Sequence, residues 1–120
     1  MTATLYQRLG EAEGIARLVD DVMAAHLANP LVKTRFENIK DMERAKRMAR
    51  EFFGAGSGGP NPYTGKDMLA AHQGMNISEQ EYLAAMDDIV GAMDKNQCDG
   101  ATKNDVIAIL YSIKGQIIRV

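Results

Sequence analysis

The chain has few of the residues that build covalent cross-links or metal clusters. Its 120 residues include one cysteine, Cys98, and two histidines, His26 and His72. A lone cysteine forms neither an intrachain disulfide nor a thiolate metal cluster. Two histidines so far apart in sequence do not supply the several close ligands that a hydrolytic zinc site requires. Composition therefore excludes a disulfide scaffold and argues against a zinc hydrolase.

An excess of charge and a long apolar run are also absent. The formal net charge is −2 at pH 7, which gives no electrostatic reason to expect nucleic acid or an anionic membrane as a partner. No apolar stretch approaches the roughly 18 residues of a membrane span, and the N-terminus lacks the charged-then-apolar layout of a signal peptide. We therefore expect a cytoplasmic protein, with one domain over residues 1–120 that is long enough to bury a core.

Common catalytic motifs are missing as well. There is no Gly-x-Ser-x-Gly elbow, and the glycine run over 54–59 lacks both a preceding strand and the Lys-Ser/Thr pair of a phosphate loop. The basic residues from Lys40 to Arg50 are interleaved with acidic ones, which is typical of a solvated helix face. Asp87 and Asp88 are adjacent on a predicted helix, so their side chains diverge, and solvated charge is the favoured interpretation. None of these features supports a particular enzyme.

Helical periodicity accounts for most of what the chain does contain. Apolar residues recur at three- and four-residue spacing from Ile15 to Leu27, and Pro30 ends that helix. Asp41 is a candidate N-cap for a second helix over 42–53, followed by an extended loop over 54–65. No segment alternates convincingly with the period of two that strands require. The expected fold class is therefore all-α.

Two later helices are marked by capping patterns. Ser78 followed by Glu81 forms a capping box ahead of an apolar face, and Thr102 with Asp105 repeats the pattern. Behind the second pattern the apolar face extends as far as Ile117. The two patterns predict where each of these helices begins.

His72 lies on a short apolar segment between the glycine loop and the helix that begins after Ser78. A lone imidazole flanked by Met and Leu residues suits the protein ligand of a buried haem iron. A lone histidine is also very often an ordinary structural residue, so His72 by itself does not decide between the two.

The predicted helix over 42–53 has small residues on its inward stripe. That face is set by Phe52 and runs back through Ala49, Met48 and Ala45. Two alanines on such a stripe leave space, and unfilled space in a core costs stability. Either a neighbouring helix approaches closely, which the spacing alone favours, or a flat ligand lies across the alanines.

A series of motifs runs through the chain in a fixed order. They are Leu5-Tyr-Gln-Arg-Leu-Gly10, Phe36, Gly58-Gly-Pro60, Tyr63-Thr-Gly-Lys66, Met68-Leu-Ala-Ala-His72, and Asn76-Ile77 followed by Tyr82. In this order and spacing they resemble the truncated haemoglobins, specifically group I, over almost the full length of the chain. The resemblance implies a two-over-two helical sandwich around one haem b (iron protoporphyrin IX), with His72 bound to the iron.

The resemblance also implies which residues hold the haem. Lys66 matches a basic position that pairs with a haem propionate, and the macrocycle would fill the space over Ala45, Met48 and Ala49. The residues expected on the proximal and inner side are Met68, Met75, Ile77, Tyr82 and Met86, and those expected on the distal and outer side are Phe36, Phe52 and Phe53.

The distal side departs from the pattern of the family. Group I members often carry a tyrosine and a glutamine that hydrogen-bond bound dioxygen, whereas this chain has Met23 at the tyrosine position and Ala45 and Ala49 at the glutamine positions. Bound dioxygen carries partial negative charge, so the loss of these donors weakens its retention. The departure predicts fast dioxygen release, easier autoxidation and weaker nitric-oxide dioxygenation.

Other residues leave alternatives open on this side. Met48 matches a position from which some relatives send a sixth ligand to the iron, and a thioether is able to ligate haem iron, but an apolar wall is favoured. His26 follows Met23 by one helical turn and either reaches the bound ligand or is simply packed, with packing favoured. Lys46 and Arg47 either swing across the haem edge or remain in solvent, and solvent is favoured.

Three functions are compatible with the resemblance. The leading hypothesis is a protein that reversibly binds and transports dioxygen, or binds CO, NO or a similar small ligand, rather than a dedicated enzyme. The second is a haem redox enzyme with nitric-oxide dioxygenase, nitrite or peroxide chemistry, for which a reductase is a possible partner. The third is an electron-transfer or sensor module in which Met48 is the sixth ligand. The apolar distal pocket counts against efficient dioxygen activation.

Overall fold

The architecture is that of a computed structural model, which describes residues 3–120. Within these residues six helices follow one another: α1 (Leu5–Arg8), α2 (Glu11–Ala28), α3 (Met42–Gly56), α4 (Met68–His72), α5 (Glu79–Lys95) and α6 (Gly100–Ile113). Short 3-10 turns lie at Lys33–Arg35 and Lys114–Gln116. The β pairing in the described residues is a single isolated bridge between Ile77 and Ile118. The predicted all-α class is confirmed.

Helix α2 is the central element and ends where the sequence predicts, just before Pro30. The chain enters it through Gly10 at a φ of +92°, a left-handed conformation that glycine adopts without a steric penalty. It ends at Ala28, with Asn29 as C-cap ahead of Pro30. Since α2 packs against both α3 and α5, and α5 packs against α6, the helices form two packed pairs, two over two.

The apolar interior has two parts. The main core lies where α2, α5 and α6 meet, and Leu18, Val19 and Met93 in it are at most 1% exposed. A second, smaller cluster contains Ile77, Tyr82 and Ile117, with Met68, Met75 and Met86 packed against it. No helix among residues 3–120 has the length and apolar character that crossing a membrane requires.

Helix α3 begins as predicted but continues further. The Asp41 carboxylate accepts a hydrogen bond from the Arg44 amide at 3.0 Å and caps the helix. The predicted loop over 54–65 is wrong at its start, because α3 runs on to Gly56. Ser57 explains the later end, since its hydroxyl and its backbone amide both donate to the Phe53 carbonyl, at 2.6 and 3.1 Å, and close the last turn.

The capping box at Ser78 and Glu81 is confirmed at the start of α5, whereas the second predicted cap is wrong. Helix α6 is capped by Asp99, whose carboxylate accepts from the Thr102 amide at 2.8 Å. A carboxylate three residues upstream is a better partner for a helix N-terminus than the hydroxyl of Thr102. Ile117 also lies beyond the end of α6, after the second 3-10 turn.

Candidate functional site

His72 is the last residue of α4, a helix of five residues that Asp67 caps by accepting from the Ala70 amide at 2.7 Å. The Nδ1 atom of His72 lies 2.8 Å from the carbonyl oxygen of Met68, one helical turn earlier. Because a carbonyl only accepts, Nδ1 must donate this bond, so in the neutral imidazole Nε2 is the nitrogen without a proton. A histidine ligand in a metal site is typically oriented by this kind of bond.

The His72 imidazole borders an apolar cavity of about 160 Å³. Five of the residues expected to contact a haem line it together: Phe36, His72, Met75, Ile77 and Tyr82. Five other residues line the cavity that were not among the predicted haem contacts: Val32, Arg35, Glu81, Ala85 and Ile117. Ala85 and Ile117 carried only the signal of an ordinary apolar helix face, and nothing in the sequence distinguished them as site residues.

Tyr82 forms a buried, uncharged wall of this cavity. Its hydroxyl donates to the carbonyl oxygen of Leu110 on α6. Burial raises the pKa of Tyr82 to about 12, since a phenolate is disfavoured away from water. Tyr82 therefore remains a neutral phenol at physiological pH, with its only polar atom turned to the backbone of α6.

The turn after His72 is tied to the end of the chain. Gly74 and Asn76 adopt φ angles of +88° and +49°, and both of their amides donate to the carbonyl of Val120, at 3.2 and 3.0 Å. The Met75 amide donates to the His72 carbonyl at 3.1 Å. This turn carries the chain from the imidazole into Ile77, so its bonds fix the cavity floor relative to His72.

Arg35 and Glu81 form an ion pair at the polar edge of the cavity. The Arg35 Nε and Nη2 atoms donate to the two carboxylate oxygens of Glu81 at 2.6 and 3.1 Å. The Arg35 Nη1 atom donates to the carbonyl of Met75 at 2.9 Å. The Arg35 guanidinium lowers the pKa of Glu81 to about 2. Sequence analysis identified Glu81 only as a helix cap and missed Arg35, because the pair is separated by 46 residues.

This ion pair predicts a pH dependence of stability. Its carboxylate has a folded-state pKa of about 2, below the ordinary value of 4.5, so its stabilisation is present above about pH 5 and is lost as pH falls towards 2. We expect the difference in unfolding free energy between the wild-type protein and Glu81→Gln, measured with urea, to shrink between about pH 6 and about pH 3. Glutamine preserves the capping box.

Glu79→Gln is the matched control for this experiment, since Glu79 is an exposed acid in the same first turn of α5. Its difference from the wild-type protein should change little over the same pH range. A Glu81→Gln difference that stays constant with pH would contradict the assigned ion pair.

His26 is buried in a polar network between α2 and α5. Its Nδ1 atom lies 2.8 Å from Asp88, and the Asn29 side-chain amide donates to both oxygens of that carboxylate at 3.0 and 3.2 Å. The ring stacks on Phe36 with centroids 4.5 Å apart. The prediction of solvated charge is wrong for Asp88, whose side chain is only 12% exposed. Asp87 is exposed.

The inward stripe of α3 divides between the core and the loop that leads to α4. Ala49 and Phe53 pack against the main core. The Phe52 ring meets the Tyr63 ring edge-on at 6.1 Å. The sulfur of Met48 lies against Gly65, where an added Cβ would stand 2.9 Å from it, so Met48 borders the approach to α4. Ala45 and Met48 are half-buried.

The remaining predicted residues lie as follows. Met23 is buried on α2 at 6% exposure, and Lys66 is exposed. Lys46 pairs with Asp20 at 3.2 Å, and Arg47 lies 3.9 Å from Glu51. Both cations therefore have acidic neighbours, and Arg47 is exposed whereas Lys46 is half-buried.

The chemistry of the donors fits a haem. The cavity offers one imidazole, whose Nε2 would be free to bind iron in the neutral ring, and walls that are mostly apolar, a combination that would suit a haem. Among residues 3–120, no group of three or more His, Cys, Asp or Glu residues is placed to hold a metal ion. A cofactor that brings most of its iron ligands with it needs only the single imidazole that His72 provides.

Comparison with known proteins points the same way. The sequence matches the family model described as Bacterial-like globin over residues 4–119. It is 28% identical over 107 residues to the Group 1 truncated hemoglobin of Tetrahymena pyriformis, covering 89% of this chain and 88% of the relative. It is 27% identical over 115 residues to that of Mycolicibacterium paratuberculosis, covering 96% of this chain and 84% of the relative.

Solved structures share the fold. The truncated hemoglobin of Tetrahymena pyriformis in its Fe(III) form is 25% identical and superposes with a TM-score of 0.93, over 98% of this chain and 100% of that one. The 2/2 hemoglobin of Synechococcus sp., solved in the cyanomet state with covalently attached heme, is 24% identical and superposes with a TM-score of 0.85, over 95% of each chain. The predicted two-over-two fold is thereby confirmed.

Proposed function

We propose that this chain, which belongs to the bacterial-like globin family and is a truncated haemoglobin, holds haem b through His72 and reversibly binds dioxygen or another diatomic gas. The family implies a haem and a small gaseous ligand. The observation that carries the residue assignment is the 2.8 Å bond from His72 Nδ1 to the Met68 carbonyl. It supports Nε2 as the proposed ligating nitrogen, since His72 also lines an apolar cavity.

The proximal side of the proposed site is built from the second apolar cluster. Ile77 and Tyr82 are buried in that cluster, and Met68, Met75 and Met86 pack against it. Flexible thioethers adapt to the irregular outline of a large ligand. Lys66 is exposed next to Asp67, the cap of α4, and from there its ammonium group is proposed to pair with a haem propionate.

The distal side is proposed to be apolar, formed by Met23, Ala45, Met48 and Ala49, with Phe36 and Phe52 at its margins. A bound haem supplies the iron to which the gas binds. Met23, Ala45 and Ala49 offer no hydrogen-bond donor to the ligand, so retention of dioxygen depends on the iron alone. His26 is proposed to support this side indirectly, because Asp88 engages its Nδ1 and its ring backs Phe36.

The proposal is tested by reconstituting the purified chain with haem and recording ferric, ferrous and CO-bound absorption spectra. We expect one haem per chain and a five-coordinate ferrous state that binds CO. A chain that takes up no haem would contradict the cofactor assignment. A six-coordinate ferrous state would contradict an open gas site and favour the electron-transfer or sensor alternative.

Met48 carries that alternative, since a thioether is able to ligate haem iron. Its sulfur packs against Gly65, which supports a role as a wall at the entrance to α4. We therefore expect Met48→Ala to leave the coordination state unchanged in the ferric absorption spectrum. Loss of a low-spin spectrum in this variant would instead identify Met48 as the sixth ligand. Met42→Ala, also a half-buried methionine on α3, is the control.

Measurements of enzymatic turnover distinguish the redox-enzyme alternative from gas binding. An apolar distal side provides little stabilisation for charge that develops on a reacting ligand. We propose that nitric-oxide dioxygenation with an added reductase is slow, and binding is therefore favoured over enzymatic turnover as the role of the site.

A further inference from the structure

Arg35 is attached to three segments that all contribute walls to the His72 cavity. It directly precedes Phe36, its partner Glu81 directly precedes Tyr82, and its third contact is the carbonyl of Met75. Phe36, Tyr82 and Met75 each line the cavity. A single guanidinium thus fixes the spacing between the connection that follows α2, the start of α5 and the turn after α4.

Each of the three nitrogen atoms of this guanidinium donates to a protein acceptor. Nε and Nη2 form a fork on the Glu81 carboxylate, and Nη1 is taken by the Met75 carbonyl. The same carboxylate accepts from the Ser78 amide at 3.1 Å, so the cap of α5 holds it in place. Paired, charge-assisted bonds of this geometry restrict both partners in angle as well as distance. Arg35 is therefore placed to hold these segments together.

A short hydrogen-bonded path connects Arg35 to the imidazole. Met75 accepts the bond from Arg35 at its backbone carbonyl, and its backbone amide donates to the His72 carbonyl at 3.1 Å. The His72 ring in turn donates to Met68 at 2.8 Å. A movement of the Met75 backbone would therefore shift the end of α4 and rotate the His72 ring.

We propose that Arg35, locked by Glu81, is the positioning residue for the proximal imidazole: it holds the turn after α4 and thereby sets the orientation of His72 and the width of the cavity. The proposal rests on the proposed function where it concerns haem, and it extends that function by naming the residue that tunes the proximal bond. Outer partners of metal-binding histidines affect affinity by about 10–100-fold.

Arg8 provides a matched control. It is a second arginine that joins distant helices, donating to Asp105 at 2.6 Å and to Thr102 at 3.3 Å. Its side chain is 25% exposed, against 29% for Arg35. It contacts no residue of the His72 cavity in these hydrogen bonds. Both Arg35→Leu and Arg8→Leu remove an ion pair between elements, so general loss of stability should affect both.

The test compares haem loss and the iron–histidine stretching band of the ferrous protein in the two variants. We expect Arg35→Leu to lose haem about tenfold faster than the wild-type protein and to shift the band, with Arg8→Leu unchanged in both. Equal values in Arg35→Leu and the wild-type protein, or equal changes in both variants, would overturn the proposal. Arg35→Lys keeps the charge without the fork, so its rate of haem loss and its band position should lie between those of the wild-type protein and Arg35→Leu. If Arg35→Leu does not fold, Arg35→Lys takes its place in the comparison.

A further measurement separates this proposal from the proposed function. Amide hydrogen exchange at Met75, recorded on the full-length chain as purified, reports whether the turn opens. We expect faster exchange at Met75 in Arg35→Leu and unchanged exchange in Arg8→Leu, whether or not the chain carries haem. Unchanged exchange in Arg35→Leu would refute the positioning role even if the haem assignment is correct. If the wild-type chain does not bind haem, the proposed function is refuted. Faster exchange at Met75 in Arg35→Leu would still support the positioning role.

Discussion

Dioxygen is expected to leave the Met23→Tyr variant about ten- to a hundredfold more slowly than the wild-type protein, because a hydrogen bond to a partly charged acceptor contributes about 1.5–3 kcal/mol. Met23 is buried on the inward face of α2. In the proposed site it stands where a donor would reach the bound gas, and its thioether has no hydrogen to donate. The measurement is dioxygen dissociation by stopped flow.

Met23→Phe is the control that isolates the hydroxyl. Phenylalanine introduces the same ring without a donor, so any change caused by the larger side chain appears in both variants. We expect dioxygen release from Met23→Phe to remain close to the wild-type rate and CO release to respond less than dioxygen release in Met23→Tyr, because bound CO carries less charge. Equal dioxygen release from the tyrosine and phenylalanine variants would show that Met23 does not face the ligand.

The course of the helices could be predicted because local signals decide it. The stripe from Ile15 to Leu27 repeats at the helical period, and Asp41 and Ser78 offer oxygens to free amides close by in sequence. The second cap was predicted wrongly. The pattern of Thr102 and Asp105 places the start of α6 three residues too late, because Asp99 is the residue that caps the helix.

The end of α3 shows the limit of reading glycine as a helix breaker. Gly54 and Gly56 remain helical because the chain closes later, where Ser57 bonds back to Phe53 and the Gly59 amide donates to the Gly54 carbonyl at 2.8 Å. A Cβ at Gly59 would lie 2.6 Å from the Tyr6 ring. Packing therefore requires a glycine at Gly59 in the loop and not at Gly54, the first glycine of the run.

Polar contacts between distant segments were not predictable from the sequence. Asp88 and His26 are separated by 62 residues, and Arg35 and Glu81 by 46. The charge of Asp88 indicated solvent by the usual preference of carboxylates, but its side chain is only 12% exposed, and His26 and Asn29 supply its partners. Such pairs depend on how helices pack, which no local pattern records.

The candidate site was predicted from the resemblance to a family and not from local sequence signals. Met75, Ile77 and Tyr82 were expected on the His72 side of a haem, and Phe36 on the distal and outer side, from a resemblance that extends over almost the whole chain. All four line the same cavity as His72. Their spacing in sequence alone would have left them as ordinary apolar residues. The contacts proposed from α3 remain predictions, since Met48 and Phe52 meet the loop before α4.

The central claim is that His72 is the protein ligand of a haem iron, and the most direct test is the ferrous spectrum of the reconstituted protein beside His72→Gly. The chain has one other histidine, His26, which Asp88 holds at 2.8 Å, so His26→Asn is the matched control. We expect the wild-type protein and His26→Asn to show a five-coordinate spectrum with an iron–histidine stretching band. In His72→Gly the band should disappear and return when free imidazole is added. An ordinary proximal-histidine spectrum in His72→Gly without imidazole would contradict the account.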